Sequence, residues 1–177
     1  MKLLCLLLLL LAGLPGRVPE ALAQDRSTSP QEAPRKKKER LVVIVHKANP
    51  IQKLTPEQVR RIYLRKDLTW ADYVRDIKDL KDFSAKTRIQ PVELSRKLDN
   101  EAFHELVLDK KREALERYWI KLQYQSAIKR PTRVSTAKRV LRYVASLEGA
   151  IGFVRESELS EKVRKHVRVV TTIELPK

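Results

Sequence analysis

Two basic clusters carry the side chains best suited to chemistry in this sequence. One is Ser95-Arg96-Lys97; the other is Lys129-Arg130 with Arg133, Ser135 and Thr136. Hydroxyls beside guanidinium and ammonium groups suit an oxyanion, because donors and positive charge converge on acceptor oxygens. Ser95-Arg96-Lys97 follows a predicted strand, at the end where open α/β sheets take their ligands. Arg130 and Arg133 precede a helix whose first turn, capped by Ser135 or Thr136, points free N–H groups outward. The expected ligand is a small anion such as phosphate, with no cofactor. Both clusters also read as ordinary basic loops in a chain of 38 Lys and Arg residues.

Other chemistries find little support. His46, His104 and His166 are scattered, and His104-Glu105 is not followed by the second His of a zinc protease helix. No metal site is expected. Ser95 and Ser135 lack the glycine elbow that exposes a nucleophile, and no Asp/Glu pair stands out for acid–base work. Trp70, Trp119, Tyr63 and Tyr118 fit a core better than a base-stacking platform, which needs several aromatics on one exposed face. The expected role is therefore non-catalytic binding.

The elements that position these residues follow from pattern. LVVIV, Leu41 to Val45, is a continuous β-branched run, the mark of a strand buried on both faces in a parallel sheet. LTPEQVRRIYLRK supplies Thr55 as a helix cap, Pro56 at the first helical position and Gln58 at capping-box spacing. Val59, Ile62 and Tyr63 share its inner face. Val74, Ile77, Leu80 and Phe83 suggest a short amphipathic helix. IQPVEL, from Ile89, is a second strand, in which Pro91 marks an edge or a strand start. Asp99 or Asn100 is expected to cap a helix carrying Ala102, Phe103, Leu106 and Val107. The next helix turns Leu115, Tyr118, Trp119 and Leu122 inward, and the one after Pro131 turns in Ala137, Val140, Leu141 and Val144. AIGFV is a short buried strand, and in the last strand Val167, Val169, Thr171 and Ile173 alternate to one face. Strands separated by helices imply right-handed crossovers and a mostly parallel, helix-flanked α/β sheet.

The first residues set the compartment. MKLLCLLLLLLAGLPGRVPEALAQ has a short apolar run, a Pro-Gly break and small residues before Gln24, so residues 1–23 read as a signal peptide. The run falls short of the ~20 apolar residues that span a bilayer, and no membrane span is expected after cleavage. Cleavage removes Cys5, the only cysteine, so the fold must stand without disulfides. The predicted location is periplasmic. Residues 24–40, QDRSTSPQEAPRKKKER, read as a disordered basic linker, and residues 41–177 as one domain. The leader holds Lys2, Arg17 and Glu20, a net +1, so export leaves +15 of the chain's +16. Such a field favours acidic partners. An envelope protein is one candidate partner; the alternative is a polyanion-binding envelope protein that uses Arg35-Lys36-Lys37-Lys38 and the basic surface to hold lipopolysaccharide, nucleic acid or another acidic polymer.

ASLEGAIGFV holds Gly149 and Gly152, the two glycines outside the leader. Gly149 is expected to end the preceding helix at positive φ. Gly152, inside a strand, marks a close approach by a flanking helix or a ligand.

These pieces also occur in a recognisable order. LTPEQVRRIYLRK, Trp70, IQPV, Phe103 with Val107-Leu108, Trp119 and GAIGFV resemble the succession found in phosphate ABC transporter substrate-binding proteins. The likeness runs from about Leu41 to Val154. It implies a periplasmic-binding-protein-like fold, here as one short lobe rather than two, and a third role as a partner that completes a two-lobe unit by dimerising. Members of that family carry Arg-x-x-x-Ser-Gly-Thr before the Phe-bearing helix, where hydroxyls and N–H groups cradle the anion. Aligned on Phe103, those positions are Glu93, Lys97, Leu98 and Asp99, and none matches. The resemblance therefore transfers fold and location, not the phosphate residues.

Overall fold

The computed structural model describes residues 39–176. The proposed leader and nearly all of the proposed linker lie outside the described residues. Five strands, β1 (Arg40–His46), β2 (Gln90–Leu94), β3 (Thr132–Val134), β4 (Ala150–Arg155) and β5 (Val167–Glu174), form one sheet in the order β3-β2-β4-β1-β5. β2 runs parallel to β3 and β4, whereas β1 is antiparallel to both β4 and β5. Four strands thus share one direction, and the sheet is mostly parallel and flanked by helices, as expected. The single reversed strand is β1, the one whose β-branched run suggested a parallel neighbour. Leu41 to Val45 are all buried; burial on both faces selects β-branched residues whichever way the neighbours run.

Helices α1 (Pro56–Tyr63), α4 (Arg112–Gln125) and α5 (Ala137–Ser146) fall where their periodicity placed them. The capping box of α1 is complete: Gln58 N–H donates to Thr55 Oγ1 at 3.2 Å and Thr55 N–H donates to Gln58 Oε1 at 2.8 Å. Tyr63, Phe103 and Phe153 make an aromatic centre, with Phe103 and Phe153 stacked at 4.0 Å. Trp70, Trp119 and Tyr63 are buried and Tyr118 is partly so, in keeping with a core role.

Several local expectations change. The helix expected across Val74 to Phe83 is only the turn α2 (Ala71–Val74). Beyond it, Asp79 and Ser84 accept from the backbone N–H groups of Lys81 and Lys86, and Lys81 has φ 50°. Short polar side chains that bond their own backbone favour turns over helix. Val74 and Phe83 still reach the core, and Ile77 and Leu80 pack against it.

Pro91 is not at a sheet edge but at a strand start. Gln90 N–H donates to Gly149 O, so the nitrogen of Pro91 faces the opposite neighbour, and β3 begins to pair only at Val92.

Helix α3 (Lys97–Phe103) begins after Arg96, which takes the cap position three residues before Asp99 and four before Asn100, leaving Asp99 buried in its first turn. A π-helical turn, His104–Leu108, then rotates the inner face, so that Leu108 is buried and Leu106 exposed. β3 itself was not foreseen, since three residues are too short to show a period.

In β5 the pairing skips a residue: Val43 faces Thr171 while Ile44 faces Val169. This bulge breaks the expected alternation and buries Val170 instead of Val169. Short helix α6 (Glu161–Arg164) precedes β5.

Both glycines are explained by close approach. The φ of Gly149 lies outside the left-handed region, so positive φ is not its role. A Cβ there would sit 2.1 Å from the carbonyl oxygen of Arg88. Its own oxygen accepts from Trp70 Nε1 at 3.3 Å and from Gln90 N–H at 2.9 Å. At Gly152 a Cβ would meet Val140 at 2.7 Å, Val92 at 2.9 Å and Val144 at 3.0 Å. The element that comes close is α5.

Candidate functional site

The parallel strands β2 and β3 end side by side at Leu94 and Val134. Ser95 fastens this edge, donating from both its N–H and its Oγ to Val134 O at 2.8 Å. Between this edge, α3 and the start of α4 lies a cavity of about 280 Å³, lined by Ser95, Lys97, Asn100, Glu101, His104, Arg112 and Arg133. It opens at the C-terminal ends of the strands, the ligand side of such sheets.

Lys97, Asn100, Glu101 and His104 reach the cavity from one stripe of the helix, at spacings of three and four.

The charges fall into two groups. Glu93, on β2 behind the cavity, is 1% exposed, and its Oε2 accepts from Arg133 Nε at 3.2 Å. Arg133 also reaches Glu116 at 3.3 Å, and Arg130 reaches the other oxygen of Glu116 at 3.1 Å. Burial raises the Glu116 pKa, but Arg130 and Arg133 outweigh it and hold the carboxyl below its ordinary value. Lys97 and Arg112, by contrast, pair with no carboxylate among the described residues.

Two residues that line this cavity, Asn100 and His104, carry buried polar atoms without partners, as does Glu93 behind it. Among the described residues, Glu93 Oε1, Asn100 Oδ1 and His104 Nε2 are buried with no hydrogen-bond partner. Glu93 Oε1 and His104 Nε2 face each other at 3.8 Å, beyond hydrogen-bond length.

A second buried carboxylate sits beside the site. Asp99 is 1% exposed; its Oδ1 accepts from Arg155 Nε at 2.8 Å and its Oδ2 from Arg96 at 2.9 Å. Arg155 also reaches Glu39, and Arg96 reaches Glu158. These hydrogen bonds, to Asp99 for Arg155 and to Glu158 for Arg96, raise both guanidinium pKa values.

The predicted site residues separate accordingly. Ser95, Lys97 and Arg133 line one cavity, although the Ser95 hydroxyl is spent on Val134. Arg96 faces Asp99 and Glu158, and Arg130 faces Glu116. Thr136 caps α5, accepting from Arg139 N–H at 3.3 Å, and Ser135 accepts from the Arg139 side chain at 3.4 Å. Asn100, His104, Arg112 and Glu93 escaped the sequence reading as site residues. The i, i+3, i+4, i+7 stripe from Lys97 to His104 is the signal that marks the first two.

At the positions aligned with the family's anion cradle, Glu93 and Asp99 each bind the chain's own arginines, Leu98 is 70% exposed, and only Lys97 faces the cavity. Internal carboxylates thus take up positive charge around this end of the sheet.

Sheet order, the lone reversed strand and the cleft at the strand ends define a helix-flanked α/β lobe. No protein-family profile matches the sequence, and no curated protein is similar to it. Solved structures do share the fold. A protein from Clostridium perfringens, solved with bound phosphate and described as a phosphate ABC transporter substrate-binding protein, is 21% identical. That match covers 76% of this chain and 45% of the other, with a TM-score of 0.56. An ABC-type phosphate transport receptor from Vibrio cholerae is 17% identical over 76% of this chain and 46% of its own, TM-score 0.55. PstS from Borrelia burgdorferi is 13% identical over 76% and 47%, TM-score 0.54. This chain therefore has the fold of phosphate ABC transporter substrate-binding proteins and spans less than half the length of each one compared. Among the described residues, no helix is long and apolar enough to cross a membrane.

Proposed function

We propose that this protein is an exported, non-catalytic binding module that holds a small anionic group in the cleft between β2, β3 and α3. The observation that carries this reading is Lys97 and Arg112, cations that pair with no carboxylate among the described residues and line a cavity on the ligand side of the sheet. Arg133 adds a third cation, already shared between Glu93 and Glu116. The fold of the phosphate receptors supports a binding role, and the leader supports export to the periplasm.

Isothermal titration with phosphate, sulfate and acetate tests the site. Saturable binding is expected, weakened tenfold or more in the Lys97→Ala/Arg112→Ala double variant, since each charge-assisted contact contributes about 1.5–3 kcal/mol. No heat and no thermal shift at millimolar anion would remove the reading.

A second reading, polyanion binding, is favoured by the groove beside α5. There Lys138, Arg142 and Lys162 rim an apolar floor of Ala137, Leu141 and Ala145, and none of the three pairs with a carboxylate among the described residues. Its signature is affinity that falls steeply with salt and falls further when residues 35–40 are deleted.

A further inference from the structure

From the basic groove beside α5, we infer that the partner held there is the acidic amphipathic helix of another protein. This rests on that groove taking acidic partners, and it names their class.

Along α5, Ala137, Leu141 and Ala145 recur one turn apart and so share one face of the helix. The floor they make runs about 12 Å, at roughly 1.5 Å of rise per residue. Val163 adds to it from α6. Ala145 and Val163 are only partly buried, so the floor offers apolar surface to a partner. The groove encloses about 570 Å³.

Cations stand on the helices to either side. Lys138 and Arg142 lie one turn apart on α5 and Lys162 lies on α6; all three are exposed, and none pairs with a carboxylate among the described residues. The carboxylate that lines the groove, Glu158, has both oxygens occupied: one accepts from Arg96 at 2.6 Å and the other from the Arg155 N–H at 3.2 Å. The groove is therefore apolar along its base and positive along its sides.

That pattern selects among acidic partners. Nucleic acid or polyphosphate brings charge but no apolar ridge to lay on the floor. An anionic acyl chain brings apolar length but gathers its charge at one end, whereas the cations here lie on both helices. A second copy would bring the same basic rim, and residues 24–38, with five Lys and Arg against Asp25 and Glu32, are basic too. A helix with an apolar stripe flanked by acidic residues supplies both features.

Fluorescence anisotropy on the full chain tests this, using labelled helical peptides whose Leu or Phe stripe is flanked by Glu, scrambled peptides of the same composition, polyphosphate and dodecanoate. Ordered peptides are expected to bind at least about tenfold more tightly than scrambled ones, the value of burying one apolar side chain. Ala145→Lys fills the floor and adds a cation, so it should weaken the ordered peptides by a similar factor while polyphosphate binds as well or better. The comparison of ordered with scrambled peptides on the unaltered chain keeps the test open should Ala145→Lys fail to fold. In Lys138→Glu/Arg142→Glu, at exposed positions, both kinds of binding should be lost, and peptide binding that persists there would overturn the inference. Equal affinity for ordered and scrambled peptides, alongside polyphosphate binding, overturns the helix but leaves the polyanion reading. Tighter binding of dodecanoate than of any peptide overturns it in favour of a lipid. Absence of binding by any probe overturns both readings of the groove.

Discussion

Gly152 and Gly149 show how single residues set the spacing of this fold. At Gly152 the missing Cβ is space occupied by the γ-methyls of Val140, Val92 and Val144; at Gly149 it is space occupied by the Arg88 carbonyl. Side chains can shift by tenths of an ångström, but a backbone carbonyl in a strand connection moves only with its strand. Gly152→Ala is therefore expected to destabilise by about 1–3 kcal/mol, the usual cost of overpacking. Gly149→Ala is expected to cost more, because Trp70 and Gln90 also depend on its carbonyl. Urea melts of the two variants check the order, and a milder effect at Gly149 would contradict it.

At the scale of elements, the capped helices carry out local instructions faithfully. Thr136 accepts from the Arg139 N–H, one of the free donors in the first turn of α5, and the helix then lays Val140 and Val144 across Gly152. Thr136→Ala should lower stability by about 1 kcal/mol, the common value for losing such a cap. Little effect on anion binding is expected, because Thr136 does not line the cleft; calorimetry read beside a thermal melt separates the two. Where local and tertiary demands diverge, the elements bend. The π-helical turn after α3 and the bulge in β5 each shift which side chains are buried, Leu108 over Leu106 and Val170 over Val169. Neither shift is encoded by a period, since both answer to the surface packed against them.

For the molecule as a whole, charge governs the response to acid. Burial pushes the Asp67 carboxyl up, but hydrogen bonds from Arg61 and Tyr73, with the charges of Arg61 and Lys66, outweigh this and leave its pKa lowered. Glu116 is lowered in the same sense by Arg130 and Arg133. A carboxyl whose pKa is lower folded than unfolded contributes stability above its unfolded value, about 4. That contribution is lost as pH falls through the folded value. Melting temperature should thus drop as pH falls below about 4, and Asp67→Asn should flatten part of that drop while lowering stability at neutral pH. An unchanged acid profile in Asp67→Asn would show that the Arg61–Asp67–Tyr73 cluster is not a source of it.

The sequence by itself determined the α/β class, the helices with complete caps, the buried aromatics and the likeness to phosphate receptors, because periodicity, capping and apolar runs are local and repeat over many residues. It also placed Ser95, Lys97 and Arg133 near a ligand side, though grouped with Arg96, Arg130, Ser135 and Thr136, which turn to other tasks. Only the tertiary structure decided that β1 runs against its neighbours, that Asp99 and Glu93 are buried against the chain's own arginines, and that Asn100, His104 and Arg112 meet at one cavity. The reason is physical: strand direction, ion pairing across tens of residues and the shape of a cleft depend on which distant segments pack together, and no short window of sequence contains both partners.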